Sequence, residues 1–221
     1  MNDTTSEPQR RTIERYTANE RTNHWFVAIA FVLSAISGLA LFHPALYWLS
    51  ALLGGGTWTR ILHPFLGVVM AIGFALLAAA LWKFNKMEPR DWQWLRQGRD
   101  VVNNREDRLP EVGRFNAGQK LLFFVLVVSI LGLLLSGIVL WRQFFSIYFS
   151  LGVIRVAAVV HAVCAFVLIC AIVVHIYAGI WVKGSIAAMT RGTVTPGWAW
   201  KHHRAWLREK LHATHPRPRS D

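Results

Sequence analysis

The chain has 221 residues, 54% of them hydrophobic and 16% charged, and a formal net charge of +12; its mean hydropathy is +0.34. That balance is too apolar for an ordinary soluble domain and points to a membrane protein. The basic residues lie between apolar runs rather than on one polar domain, which excludes nucleic acid as the partner, and Cys164 and Cys170 sit on different sides of one apolar run, which excludes a disulfide framework.

The first 22 residues are a polar tail. Arg10-Arg11 resembles a twin-arginine export signal, but mostly polar residues separate it from the first apolar run and no A-x-A site follows, so no cleaved signal is expected. Four charge-free stretches then follow, Trp25–Phe42, Ile61–Trp82, Leu121–Trp141 and Val156–Val182. Each is long enough, or nearly so, to cross ~30 Å of hydrocarbon. With flanking residues the spans are expected at about 24–42, 61–83, 118–141 and 155–183, within a membrane domain of 23–185. Trp25, Trp82, Trp141 and Trp181 stand near the span ends, as an interfacial aromatic belt requires. Between the second and third spans, Pro89 and Asp91 can start a helix with Trp92, Leu95 and Val102 near one face, read as a basic helix on the membrane surface. Residues 186–221 form a basic, Trp-rich tail whose end, HPRPRSD, is expected to be disordered. No internal repeat stands out.

Of the 24 Lys and Arg residues, 21 fall in the two tails and the middle loop, and only Arg60, Arg142 and Arg155 fall on the other side. The positive-inside rule puts both termini in the cytoplasm. The expected fold is an all-α integral membrane protein, a bundle of four transmembrane helices.

The nine histidines sort by position. His202, His203, His212 and His215 lie in the tail and read as solvated; His43, before Pro44, reads as interfacial. His24, His63, His161 and His175 remain. A polar group in hydrocarbon is costly and marks a functional site by default. Residues 161 and 175 are fourteen apart, close to four whole helical turns, so both rings share a face roughly 21 Å apart along the axis. That is too far for one metal ion, but it suits two flat cofactors, one above the other. The topology places His63 at the depth of His161 on the outer side, and His24 at the depth of His175 on the inner side. Neutral imidazole ligates haem iron, and two axial imidazoles leave no open position. Two b haems, ligated by His63/His161 and His24/His175, are the expectation. The alternatives are hydrogen-bonded helix-end histidines in a non-haem membrane anchor, or a transporter moving protons. Gly38, Gly67, Gly132, Gly137 and Gly179 could admit a macrocycle, or equally serve helix packing. Arg21 and Arg60, each three residues before a candidate ligand, could hold haem propionates or merely flank the spans. Asn116, Gly118 and Gln119, where the third span enters from the cytoplasm, could form a quinone site with His175; otherwise Asn116 caps the helix.

The segments RILHPFLG (60–67), RFNAGQK (114–120), HIYAGIWVKGSI (175–186) and WAWKHHRAW (198–206) resemble the gamma, cytochrome b556 subunit of membrane-bound respiratory formate dehydrogenase, from about Tyr16 to Leu207. The cytochrome b subunits of nickel–iron hydrogenases and thiosulfate reductases share the plan more loosely. The resemblance implies that His24, His63, His161 and His175 are the haem ligands and that the amide-containing segment with His175 forms the quinone pocket. It also implies an iron–sulfur beta subunit and a molybdenum or tungsten alpha subunit that oxidises formate outside, a trimer of heterotrimers, a menaquinone or ubiquinone acceptor, and a bacterial inner membrane.

Overall fold

A computed structural model describes residues 12–214 except 104, 106 and 107; the Arg10-Arg11 pair and residues 215–221, with His215, lie outside the described residues. Four long helices, α1 (Ala18–Phe42), α2 (Gly56–Leu81), α5 (Ala117–Leu140) and α6 (Leu151–Trp181), are apolar and long enough to cross a membrane. Each begins earlier in the chain than hydropathy alone places it, and α1, α5 and α6 do so on a polar side-chain cap. Thr17 and Glu20 form a capping box that starts α1 in polar sequence, and Ser150 accepts from the Val153 N–H to start α6. At ~1.5 Å per residue, α6 spans roughly 46 Å and outruns the hydrocarbon layer.

The helices pack as two hairpins, α1 on α2 and α5 on α6, joined mainly along α2 and α5. A small core sits mid-bundle: Ala30, Met70, Ala71, Phe74, Ile130 and Leu168 are buried together. Much of the remaining apolar surface is exposed, including Val156, Val159, Val163, Phe166 and Val173 along α6. This outward-facing surface suits lipid, where no water drives helices together. At the end away from the termini, a 3-10 helix, Pro44–Leu53, joins α1 to α2; sequence reading missed it. His43 caps it, its Nδ1 accepting from the Ala45 N–H at 3.2 Å.

The other end carries a folded cap. A two-stranded antiparallel pairing, β1 (Ile13–Glu14) with β2 (Thr193–Val194), ties the two tails together, so the described chain is not strictly all-α. The residues after the fourth span are not a loose tail: α7 (Ser185–Arg191), α8 (Pro196–His202) and α9 (Arg204–Thr214) pack around Ala188, Val194, Ala199, Trp206 and Leu207. The middle loop does start a helix at Pro89, with a Glu88/Asp91 capping box, but it divides into α3 (Pro89–Arg96) and α4 (Gly98–Val102). Its opposite face docks on the bundle. Trp92 and Val102 are exposed, whereas Asp91 is buried and donated to by the Lys120 ammonium at 2.7 Å.

His203 corrects the reading of the tail histidines. It is 4% exposed. Its Nδ1 donates to the Gly113 carbonyl at 2.8 Å, since a carbonyl can only accept, and its Nε2 therefore accepts from the Arg15 guanidinium at 3.2 Å. Burial first, then the Arg15 charge beside it, push the His203 imidazole down to about 3. His202 is half-buried against Trp198, and His212 is exposed as expected. Arg15 is 3% exposed and lies over the Trp206 ring at 4.6 Å, with Tyr16, Phe115 and Trp198 further out. Its guanidinium also donates to the Arg114 carbonyl, and Arg114 in turn bridges both oxygens of Glu20 at 2.8 and 2.9 Å.

Candidate functional site: two facing imidazole pairs

His24 stands on α1, His63 on α2, and His161 and His175 on α6. The fold brings them together in the two pairs expected. The His24 and His175 ring centroids are 6.0 Å apart with planes at 52°; those of His63 and His161 are 6.2 Å apart with planes at 74°. Neither pair is hydrogen-bonded to itself. The buried Leu168 lies midway along α6 between the two levels, so an apolar layer separates them.

The separation is informative. A metal takes an imidazole nitrogen at about 2 Å, and that nitrogen lies ~1.1 Å from its ring centre, so two imidazoles on opposite sides of one metal have centroids about 6 Å apart. Among the described residues no group of three or more His, Cys, Asp or Glu side chains could hold a bare metal ion. Each site thus offers two facing imidazoles and nothing more, a donor set that would suit an iron with four ligands in its own macrocycle.

At the His63–His161 level the rings are held from behind. The Ser37 hydroxyl lies 2.8 Å from His63 Nδ1, and the Ser136 hydroxyl 3.0 Å from His161 Nδ1. Gly38 and Gly137, the next residues, let each ring lie against the neighbouring helix: a Cβ would stand 3.1 Å from His63 Cε1 at Gly38 and 3.4 Å from His161 Cε1 at Gly137. Sequence reading named both glycines but missed both serines, although the signal was present as ISGLAL at 36–41 and LSGIVL at 135–140. At the other level, His24 Nδ1 is buried without a hydrogen-bond partner.

The remaining expected residues divide. Arg60 is exposed. Arg21 donates to the Thr190 carbonyl at 2.6 Å, which ties α1 to α7. Asn116 and Gln119 form a capping box at the start of α5, each side-chain oxygen accepting the other's backbone N–H at 2.8 and 3.0 Å. That leaves the two amide NH2 groups outside the box as donors. The space beside Gly118 is filled by Trp94: a Cβ there would stand 3.3 Å from the indole.

A four-helix membrane bundle with two facing imidazole pairs has the architecture of a membrane cytochrome b. Residues 15–192 match the prokaryotic cytochrome b561 family. The chain is 45% identical over 201 residues to the formate dehydrogenase cytochrome b556(fdo) subunit of Escherichia coli (strain K12), covering 91% of this chain and 94% of the relative. It is 40% identical to the formate dehydrogenase cytochrome b556 subunit of Haemophilus influenzae, over 90% of this chain and 84% of that one. To the nitrate-inducible cytochrome b556(Fdn) subunit of Escherichia coli (strain K12) it is 38% identical, over 86% of this chain and 88% of that one. The chain belongs to the prokaryotic cytochrome b561 family, among the formate dehydrogenase cytochrome b556 subunits, as its sequence motifs led us to expect. It is a multi-pass protein of the bacterial inner membrane. The family implies b haem, and the opposed imidazoles fit it.

Proposed function

We propose that this chain is the di-haem membrane subunit of a formate dehydrogenase, conducting electrons from an iron–sulfur partner on the outer side to a quinone on the inner side. The observation that carries the reading is the pair of opposed imidazole sites, with centroids 6.0 and 6.2 Å apart, separated by an apolar layer. Haem iron held there supplies one-electron redox chemistry without an open position for oxygen. His63 and His161 form the outer site, His24 and His175 the inner one. The Lys/Arg asymmetry supports placing the termini, the cap and the inner site in the cytoplasm. The exposed Arg60 stands three residues before His63, free to reach a propionate. Arg21 is placed the same way before His24 but spends one N–H on Thr190.

The Asn116/Gln119 box holds two side-chain amides at the cytoplasmic mouth of α5, where their NH2 groups can donate to a quinone carbonyl beside His175. An iron–sulfur subunit and a molybdenum or tungsten subunit complete the complex, which itself trimerises. Inward electron transfer works against the membrane potential at about 2.3 kcal/mol per electron per 100 mV, so formate oxidation outside and quinone reduction inside together store energy.

The purified complex should contain two protohaems per copy of this chain by pyridine haemochrome. His161→Ala should remove one haem and His24→Ala the other, each variant retaining its companion. One haem per chain in the unmodified complex, or loss of both from either variant, would break the pairing.

A further inference from the structure

Ser37 and Ser136 hold equivalent places. Each is the twentieth residue of its helix, counted from Ala18 in α1 and from Ala117 in α5, and each is followed by glycine. Each faces a histidine on the second helix of its own hairpin: Ser37 faces His63 on α2, and Ser136 faces His161 on α6. Ser37 is 0% exposed and Ser136 6%, so water does not compete for either hydroxyl.

The direction of these hydrogen bonds follows from counting protons. A serine hydroxyl has one. Ser37 donates its proton to the Ser34 carbonyl at 2.9 Å, and Ser136 donates to the Gly132 carbonyl at 2.6 Å. A carbonyl cannot return a proton, so each Oγ must accept at the histidine. His63 and His161 therefore carry their proton on Nδ1 and keep the lone pair on Nε2. Each serine accepts beside a backbone carbonyl of its own helix, Ser34 at His63 and Leu133 at His161, and hydroxyl and carbonyl together set the tautomer and rotation of the ring.

We propose that Ser37 and Ser136 are positioning residues that present His63 and His161 as Nε2 donors and make the iron held there the harder of the two to reduce. An acceptor behind Nδ1–H gives an imidazole partial imidazolate character, strengthens its donation to the metal and favours the ferric state. Two such acceptors serve the His63–His161 site. At the other site His24 Nδ1 has no hydrogen-bond partner, and among the described residues none donates to or accepts from the His175 ring. The asymmetry lowers the potential of the outer site relative to the inner one, which directs electrons inward. The inference rests on the two-haem reading above.

The test is potentiometric titration of the intact complex, followed at the haem absorption bands and by the low-spin ferric EPR signals. Ser37→Ala, Ser136→Ala and the double variant are compared with the unmodified complex, and His161→Ala assigns the outer haem. Both single variants should raise the outer haem's midpoint, the double variant most, while the inner haem stays in place. Each tenfold loss of preference for ferric iron reads as about 59 mV. A shift in the EPR signal of the outer haem alone, or loss of only that haem, also supports the assignment. An unchanged midpoint in the double variant with both haems bound would overturn it, as would equal shifts at both haems or loss of both. Fewer than two haems in the unmodified complex would instead remove the two-haem reading itself.

Discussion

The membrane bundle and the cap beneath it are held together by opposite means. In the bundle few side chains are buried, the core is small and apolar, and the buried Ser37 and Ser136 hydroxyls bond only to their own helix and to a histidine. In the cap, Arg15, Asp91, Lys120 and His203 are all at least 95% buried, and they connect segments far apart in sequence. Lipid explains the bundle, because a helix that satisfies its own backbone needs little from its neighbours. The cap has water outside and must exclude it. It does so with charges whose hydrogen bonds are supplied from segments 29 to 188 positions away in sequence.

That contrast sets the scale of mutational effects. The largest is expected at Lys120, which is both the first turn of α5 and the partner of Asp91. Lys120→Ala leaves a buried carboxylate without its cation and should cost about 3–5 kcal/mol, read as a lowered thermal midpoint of the cap region. A neutral result would mean that water reaches Asp91 and the cap is not sealed. Acidification should act next. His203 titrates near 6.5 when unfolded and near 3 when folded, so the unfolded cap binds the additional proton between those values. The contribution is complete above pH 6.5 and falls away steadily as the pH drops toward 3. Limited proteolysis should therefore open the segment after Trp181 at pH 4 to 5 while the bundle helices stay protected; equal loss in both regions would deny the distinction. The smallest effect belongs to the cap's rim. Arg208 meets Glu111 at 2.9 Å, but the two side chains are 52% and 40% exposed. Arg208→Ala should change stability by less than about 1 kcal/mol in a denaturation curve.

The two regions were also unequally legible in the sequence. Hydropathy, the fourteen-residue spacing of His161 and His175, and the alternation of spans were enough to name the two histidine pairs whose rings the fold brings within about 6 Å. These are periodic or local signals, and a membrane restricts the chain to few arrangements. The cap gave no such signal. His203 contacts Arg15 across 188 positions, and no local pattern announces that a basic, aromatic tail will fold back on the first residues of the described chain. Helix starts were misplaced for a milder reason: Thr17 with Glu20, and Ser150, are readable caps, but they lie outside the apolar runs that attracted the reading. Asn116 and Gln119 were legible as a pair, and the structure shows that their oxygens cap α5. The serines behind His63 and His161 were the most recoverable omission, since the same dipeptide stands at the same depth in two helices.

The hairpin arrangement bears on how the molecule is assembled. Each imidazole pair draws one ring from the α1–α2 hairpin and one from the α5–α6 hairpin, and the direct contact between hairpins is otherwise modest. A group gripped by both rings can be held only when the hairpins are closed, so its binding free energy adds directly to the stability of the closed form. Insertion of the two hairpins and their closure are then separable events in biogenesis. With a prosthetic group gripped in this way, its supply would decide which inserted chains close and which stay open to proteases.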